Sequence, residues 1–328
     1  MLRKIVTGAV IALGLTAGPA KAAEEINFGI ISTESSSNLK VMFNPWLEEM
    51  SKATGLKINA FFASDYAGII EGMRFGKVQL AWYGNKSAME AVDRAEGEVF
   101  AQTIPASGIA GYYSHIIVHK DSEYQKLEDV LKCDKTVDFG IGDPNSTSGF
   151  LVPTTFIFAA KSIDPKACFK TLRNANHEAN ALAVANKLVG AATNNSENLD
   201  RLEKTNPEAR KNIRVIWTSV LIASDPLVWR KDLDQGTKKK LADFIFGYGK
   251  SGNAEADAKA AEVLKNLTWT GFKVSDNNQL LPIRQMELAK ELAKIQADDK
   301  IAEAEKTTKI DELKKKIAEV EKQLAAKS

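Results

Sequence analysis

Gly140-Ile141-Gly142-Asp143-Pro144-Asn145-Ser146-Thr147-Ser148-Gly149 completes the β-rich run Val137 to Ile141 and opens a helical pattern from Thr147 to Lys161. A strand that turns straight into a helix is the unit from which α/β sheets are assembled. The turn also carries chemistry. Backbone N–H groups at a helix start hold partial positive charge and face whatever lies ahead of them, and three consecutive hydroxyls add donors around a tetrahedral anion without any Lys or Arg. One Ser or Thr is enough to cap a helix. Three in a row beside Gly exceed that need and predict an anion-binding turn.

Outward from this junction the same alternation recurs. Before it lie the strands Ile26 to Ile31, Leu56 to Phe62 and Val78 to Tyr83, each followed by a helical pattern: Asn44 to Ala53, with Pro45 suited to a first turn, then Tyr66 to Phe75 and Lys86 to Arg94. After it come the strands Lys170 to Arg173 and Val189 to Ala192, with helical patterns Glu178 to Lys187 and Glu197 to Glu203. Extended stretches, Tyr113 to His119 and Val215 to Ile222, separate the two series. This order predicts two α/β lobes joined by two crossings. Open α/β sheets bind ligands beyond the carboxyl ends of their strands, so facing lobes put the ligand in a cleft between them. From about Gln285 the chain is rich in Ala, Glu, Lys and Leu, and Ile310, Leu313, Ile317, Val320 and Leu324 recur at spacings of 3, 4, 3 and 4. That is a coiled-coil seam. It predicts a helical tail that joins two copies into a homodimer, with a lone helix packed back on its own chain as the alternative, since short helices need a packing partner.

At the amino terminus Arg3 and Lys4 precede a mostly apolar stretch, Ile5 to Ala17, then Gly18-Pro19 and the small-residue triplet Ala20-Lys21-Ala22. This is the pattern of a secretory signal, with cleavage expected after Ala22. Its apolar part is shorter than the roughly 20 residues of a membrane-spanning helix, so the mature chain is expected to be soluble. Cleavage removes Arg3, Lys4 and Lys21 and no acid, which takes the formal charge from +2 to −1. With lysines interspersed among glutamates, no basic face for nucleic acid is expected.

The two cysteines, Cys133 and Cys168, are expected to pair in an oxidising compartment. Each sits just before one of two consecutive parallel strands, which are usually neighbours. The chain has three His and no C-x-x-C, so neither a metal site nor a cofactor is expected. His115 and His119 read as surface or edge histidines of a strand.

Asn27 to Ser35, Asp65 to Ile70, Ala81-Trp82-Tyr83-Gly84-Asn85, Asp143 to Pro153, His177 to Lys187 and Pro282-Ile283-Arg284-Gln285 closely resemble the periplasmic phosphonate-binding proteins of phosphonate ABC importers. The resemblance extends over nearly all of the chain behind the signal. It implies a type II periplasmic binding fold with a C-terminal helical extension: signal 1–22, lobe I 23–111 and 226–285, lobe II 112–225, tail 286–328. It implies a periplasmic carrier rather than an enzyme, with a small phosphonate as ligand and the membrane permease of an ABC importer as partner. By motif, the phosphonate oxygens meet Ser146, Thr147, Ser148, His177, Tyr66 and Tyr112. Around Tyr112 the stretch Ser107 to Gly111 matches less closely, which leaves Tyr113 open as the contacting ring. The resemblance also implies that Glu197 and Asp225 receive the ammonium of 2-aminoethylphosphonate. Physics agrees, since a pair of acids disfavours phosphate or sulfate, which would leave those acids unpaired. Alone, an acid in a helix's first turn and an Asp before Pro are also common solvent-facing choices.

The rival class is an enzyme acting on a phosphoryl or carboxyl substrate. Gly249-Lys250-Ser251 hints at a nucleotide loop, but that pattern needs Gly at 244, where the chain has Phe244. A His near three hydroxyls suggests a nucleophile and its base, yet no third group is evident to orient the base. A second rival keeps the fold and takes phosphate, phosphite or a nucleoside phosphonate.

Overall fold

Ile26, Phe28 and Ile30 alternate along β1 (Glu25–Ile30) and are buried, as a strand covered on its faces by helices requires. The computed structural model describes residues 24–326, so the signal read over 1–22 lies outside the described residues. From β1 the chain winds through α1 (Ser36–Thr54), β2 (Lys57–Phe62), α2 (Tyr66–Arg74), β3 (Leu80–Trp82), α3 (Asn85–Arg94) and β4 (Gly97–Pro105). It crosses through β5 (Gly111–Tyr112) into β6 (Ser114–His119), α4 (Leu127–Val130), β7 (Asp138–Ile141), α5 (Pro165–Cys168), β8 (Thr171–Asn174), α6 (His177–Ala185), β9 (Ala191–Asn195), α7 (Ser196–Thr205), α8 (Pro207–Lys211) and β10 (Ile213–Thr218). It returns through β11 (Ile222–Ala223) to β12 (Pro226–Arg230), α9 (Gln235–Gly247), α10 (Ala254–Asn266), β13 (Trp269–Val274), α11 (Leu281–Gln296) and α12 (Glu303–Ala325).

Two sheets organise these elements. The first has the order β13-β4-β12-β3-β1-β2, with β1 parallel to β2 and β3, and with β12 antiparallel to β3 and β4. Its core is aromatic: Trp46 meets Phe28 edge-on at 5.5 Å and stacks on Phe272 at 5.4 Å. The second sheet runs β10-β6-β9-β7-β8, and Phe139 stacks on Phe169 beneath it at 4.3 Å. The two crossings pair with each other, β5 against β11, so both lobes hinge on one short ribbon. Gly111 is required there, because a Cβ would stand 2.1 Å from the Ile222 carbonyl oxygen.

Several local expectations need correction. The first helix begins at Ser36, not Asn44, and Pro45 lies inside it. Ser35 caps it, and the buried residues Leu39, Met42, Phe43, Trp46, Leu47 and Met50 supply the apolar face, while Ser36 and Ser37 form an exposed first turn. The segment expected as an α-helix from Thr147 to Lys161 is instead two π-helical turns, Thr147–Leu151 and Thr154–Phe158, followed by a 3₁₀ turn. His115 and His119 are neither surface nor edge residues. β6 lies between β10 and β9, both rings are buried, and His115 Nδ1 is 3.1 Å from Thr218 Oγ1.

The seam of the tail is used within the chain. α12 folds back along α11, Leu313 and Val320 are buried, and Gln285 Nε2 donates to Glu321 Oε1 at 3.2 Å. Ala297-Asp298-Asp299, which interrupts the apolar pattern, is where the hairpin turns. α11 is tied to the first lobe by an Arg284–Asp93 ion pair and rests on the π-helical segment of the second, with Lys290 over the Phe150 ring. Cys133 and Cys168 are joined by a disulfide with a Cα separation of 4.0 Å, beside the paired strands β7 and β8.

Candidate functional site

Pro153 explains the shape of the anion turn. It has no N–H, so the Gly149 carbonyl lacks the partner a regular helix would give it. That carbonyl instead accepts from Gly142 N–H at 2.9 Å and from Thr193 Oγ1 at 2.7 Å, which clamps the turn onto β7 and β9. Leu151 N–H reaches back five residues to the Ser146 carbonyl at 3.1 Å. Wide turns of this kind recur at functional sites. Ser146 caps the turn by accepting from Gly149 N–H at 3.0 Å.

His177 opens α6, and its Nε2 stands 3.4 Å from Ser146 Oγ, 3.5 Å from Ser148 Oγ and 3.1 Å from Asn195 Nδ2. Asn195 Nδ2 also donates to Ser148 Oγ at 3.0 Å. Burial, assisted by the Arg201 charge, pushes the His177 pKa down to about 3, so the ring is neutral and offers an anion a dipole rather than a charge. Thr147 Oγ1 accepts from Lys86 N–H, at the start of α3 in the opposite lobe, at 2.8 Å. Tyr66, first residue of α2, is buried with its hydroxyl against Ser146, and its N–H donates to Asp143 Oδ2 at 3.2 Å. This end of the site is therefore built from hydroxyls, a neutral imidazole and backbone dipoles.

The other end is acidic. Glu197 lies in the first turn of α7, which Asn195 caps by accepting from Asn198 N–H at 2.7 Å. Asp225 enters from the crossing that leads into β12. Both are buried, and Glu197 Oε1 and Asp225 Oδ1 have no hydrogen-bond partner among the described residues. Burial, then the neighbouring Glu197 charge, holds Asp225 well above the usual carboxylate range, and a hydrogen bond with Tyr112 offsets this in part. Burial likewise raises Glu197, against the Arg201 charge, which lowers it. Two acids that resist ionisation together are stabilised by a cation placed between them.

The two ends meet in one narrow cavity between the lobes. Ile31, Thr33, Tyr66, Trp82 and Gly84 of the first lobe face Tyr112, Ser146, Thr147, Ser148, His177, Asn195, Glu197, Arg201 and Asp225 across about 250 Å³ of empty space. Residues of both lobes line this narrow space, so a solute enters it when the lobes part. All eight candidate ligand-binding residues read from the sequence line this cavity. Tyr112 does so, whereas Tyr113 lines a neighbouring hollow with Ser196 and Asp200. Sequence reasoning missed Thr33, whose buried Oγ1 is without a hydrogen-bond partner among the described residues, and Asn195, which bridges Ser148 and His177. It also missed Arg201. The only signal for Asn195 was its place at a helix cap.

Residues 28–280 match the family described as ABC transporter, phosphonate, periplasmic substrate-binding protein. The chain is 50% identical over 316 residues to the phosphonates-binding periplasmic protein of Escherichia coli (strain K12), covering 95% of this chain and 91% of that one. The structure resembles a binding protein component of an ABC phosphonate transporter from Pseudomonas aeruginosa, with a TM-score of 0.88, 52% identity, and coverage of 93% and 99% of the two chains. A phosphate-import protein of Mycolicibacterium smegmatis is 35% identical over 172 residues, 50% of this chain and 52% of that one.

Proposed function

Since the chain belongs to the periplasmic substrate-binding proteins of phosphonate ABC transporters, we propose that its own ligand is an amino-alkyl phosphonate, 2-aminoethylphosphonate foremost, held between the lobes and released to the permease. A periplasmic carrier of this family binds without turnover, and residues 1–22 act as its export signal. One observation carries the choice of ligand: a single cavity joins a hydroxyl-lined anion end to two buried, partnerless carboxylate oxygens. A zwitterion with an anionic head and an ammonium tail satisfies both ends. Phosphate, which the Mycolicibacterium smegmatis relative is named for importing, would leave Glu197 and Asp225 unpaired.

Mass spectrometry of the ligand retained through native purification, followed by calorimetry and small-angle scattering, tests this. The expected results are one 2-aminoethylphosphonate per chain, a radius of gyration that decreases on saturation, and no phosphate release. Tighter binding of phosphate than of 2-aminoethylphosphonate would overturn it.

The tail enters the proposal as a dimerisation element. Ile310 and Ile317 remain partly exposed on the hairpin, which supports association of two copies through residues 286–328. Light scattering should find a dimer that becomes a monomer when the chain is truncated behind Gln285. A monomer before truncation would show that the hairpin serves its own chain alone.

A further inference from the structure

The segment between β1 and α1 belongs to the first lobe but is held by the second. Ser35 N–H donates to Glu178 Oε2 at 2.6 Å, Asn38 Nδ2 donates to Glu178 Oε1, and Glu178 N–H donates to the Thr33 carbonyl at 3.3 Å. Glu34 reaches deeper. Its Oε1 accepts from Arg201 Nε and, at 3.2 Å, from Asn198 Nδ2, and the side chains of Glu34 and Arg201 are each 4% exposed. A buried ion pair thus crosses the cleft.

Arg201 stands one turn beyond Glu197 on α7, at the i, i+4 spacing where opposite charges on a helix meet. In the closed protein its Nε is nevertheless turned to Glu34, and Glu197 Oε1 has no partner among the described residues. When the lobes part, Glu34 leaves with the first lobe. An arginine that loses its partner turns to another carboxylate, and after Glu34 the acid whose charge acts most strongly on Arg201 is Glu197.

We propose that Glu34 is a specificity-determining residue: by taking the Arg201 guanidinium as the lobes close, it frees Glu197 for the cation of the ligand. The inference rests on the amino-alkyl phosphonate reading above. Closure then does two things at once. It buries the solute, and it exposes a pair of acids that only a cationic tail can satisfy, so a ligand without one meets a cost that appears on closing. Neither Glu34 nor Arg201 has to touch the ammonium for this to work, which makes Arg201 a positioning residue.

The test compares dissociation constants of 2-aminoethylphosphonate and ethylphosphonate by calorimetry. Glu34→Gln keeps the shape and removes the charge, so Arg201 stays with Glu197. The preference for the amine is expected to fall on the order of tenfold or more. Glu34→Gln combined with Arg201→Gln removes both charges and is expected to bring the preference back to within about threefold of the parent. Glu178→Gln loosens the same segment without touching Arg201, and should weaken both ligands by one common factor through the closed population. An unchanged preference in Glu34→Gln overturns the inference, as does a double variant no better than the single one, because Glu34 is then only a latch. If Glu34→Gln does not fold, Glu34→Asp, which keeps the charge but shortens its reach, carries the comparison in the same direction. Glu197→Ala separates the failures. If it lowers the preference and Glu34→Gln does not, this inference falls alone. If neither does, the amine-end assignment falls with it.

Discussion

Asp225→Ala is expected to weaken 2-aminoethylphosphonate by about 2 to 5 kcal/mol, roughly 30-fold to several thousandfold, because it strips a buried charge of its partner. Ethylphosphonate, which has nothing to offer that carboxylate, should change only a few-fold. The same substitution has an opposite signature in the ligand-free protein. Asp225 is held well above its usual pKa by burial and by the Glu197 charge. A folded-state pKa above the unfolded one means a stability contribution that is complete below the unfolded value, about 3.9, and lost as pH rises through the folded value. The alanine variant is free of this loss, so its thermal midpoint should gain on the parent's as pH rises. Calorimetry with both ligands and melting curves from acid to mildly alkaline pH check the two halves. Equal losses for the two ligands would remove Asp225 from the amine end.

How much of this was legible in the sequence depends on how local the determinant is. The junction at Gly140 to Gly149 could be read because strand, turn and hydroxyls are contiguous, and the structure places them as a clamped turn at the lobe interface. Its π-helical form was not read, although Pro153 was in view, because the consequence depends on Thr193, which comes from a different strand. Pro45 misled for the opposite reason. Proline favours a first turn, but the apolar spacing from Leu39 onward had already begun the helix. The seam of the tail announces that Ile310 to Leu324 want a partner without saying which; α12 packs along α11 with Leu313 and Val320 buried and Ile310 and Ile317 partly exposed. Glu197 and Asp225 were reached through family resemblance alone, since neither position differs from a solvent-facing acid until burial is known. The Glu34–Arg201 pair, 167 positions apart in sequence, leaves no periodic or motif signal at all.

Gly142→Ala supplies the contrasting prediction, at the anion end. A Cβ on Gly142 would lie 2.5 Å from Gly149 Cα, 2.6 Å from its carbonyl carbon and 2.7 Å from its oxygen. These are backbone atoms of the turn, which cannot swing aside as a side chain would. Gly142 N–H also donates to both Gly149 O and Thr193 Oγ1, each at 2.9 Å, so pushing the two strands of the turn apart breaks the clamp that sets Ser146, Thr147 and Ser148. Overpacking of this kind costs about 1 to 3 kcal/mol of stability. Both phosphonates should lose affinity by a similar factor, about tenfold or more, because the displaced donors serve the head group the ligands share and because small misplacements of preorganised donors are expensive. Gly247, where a Cβ would meet nothing within 4 Å, is the control, and Gly247→Ala should leave both dissociation constants within about twofold. A Gly142→Ala protein that kept its affinity for ethylphosphonate while losing 2-aminoethylphosphonate would place the anion-binding turn elsewhere. Parallel losses here, set against the selective loss in Asp225→Ala, would divide the cavity into its two chemical ends.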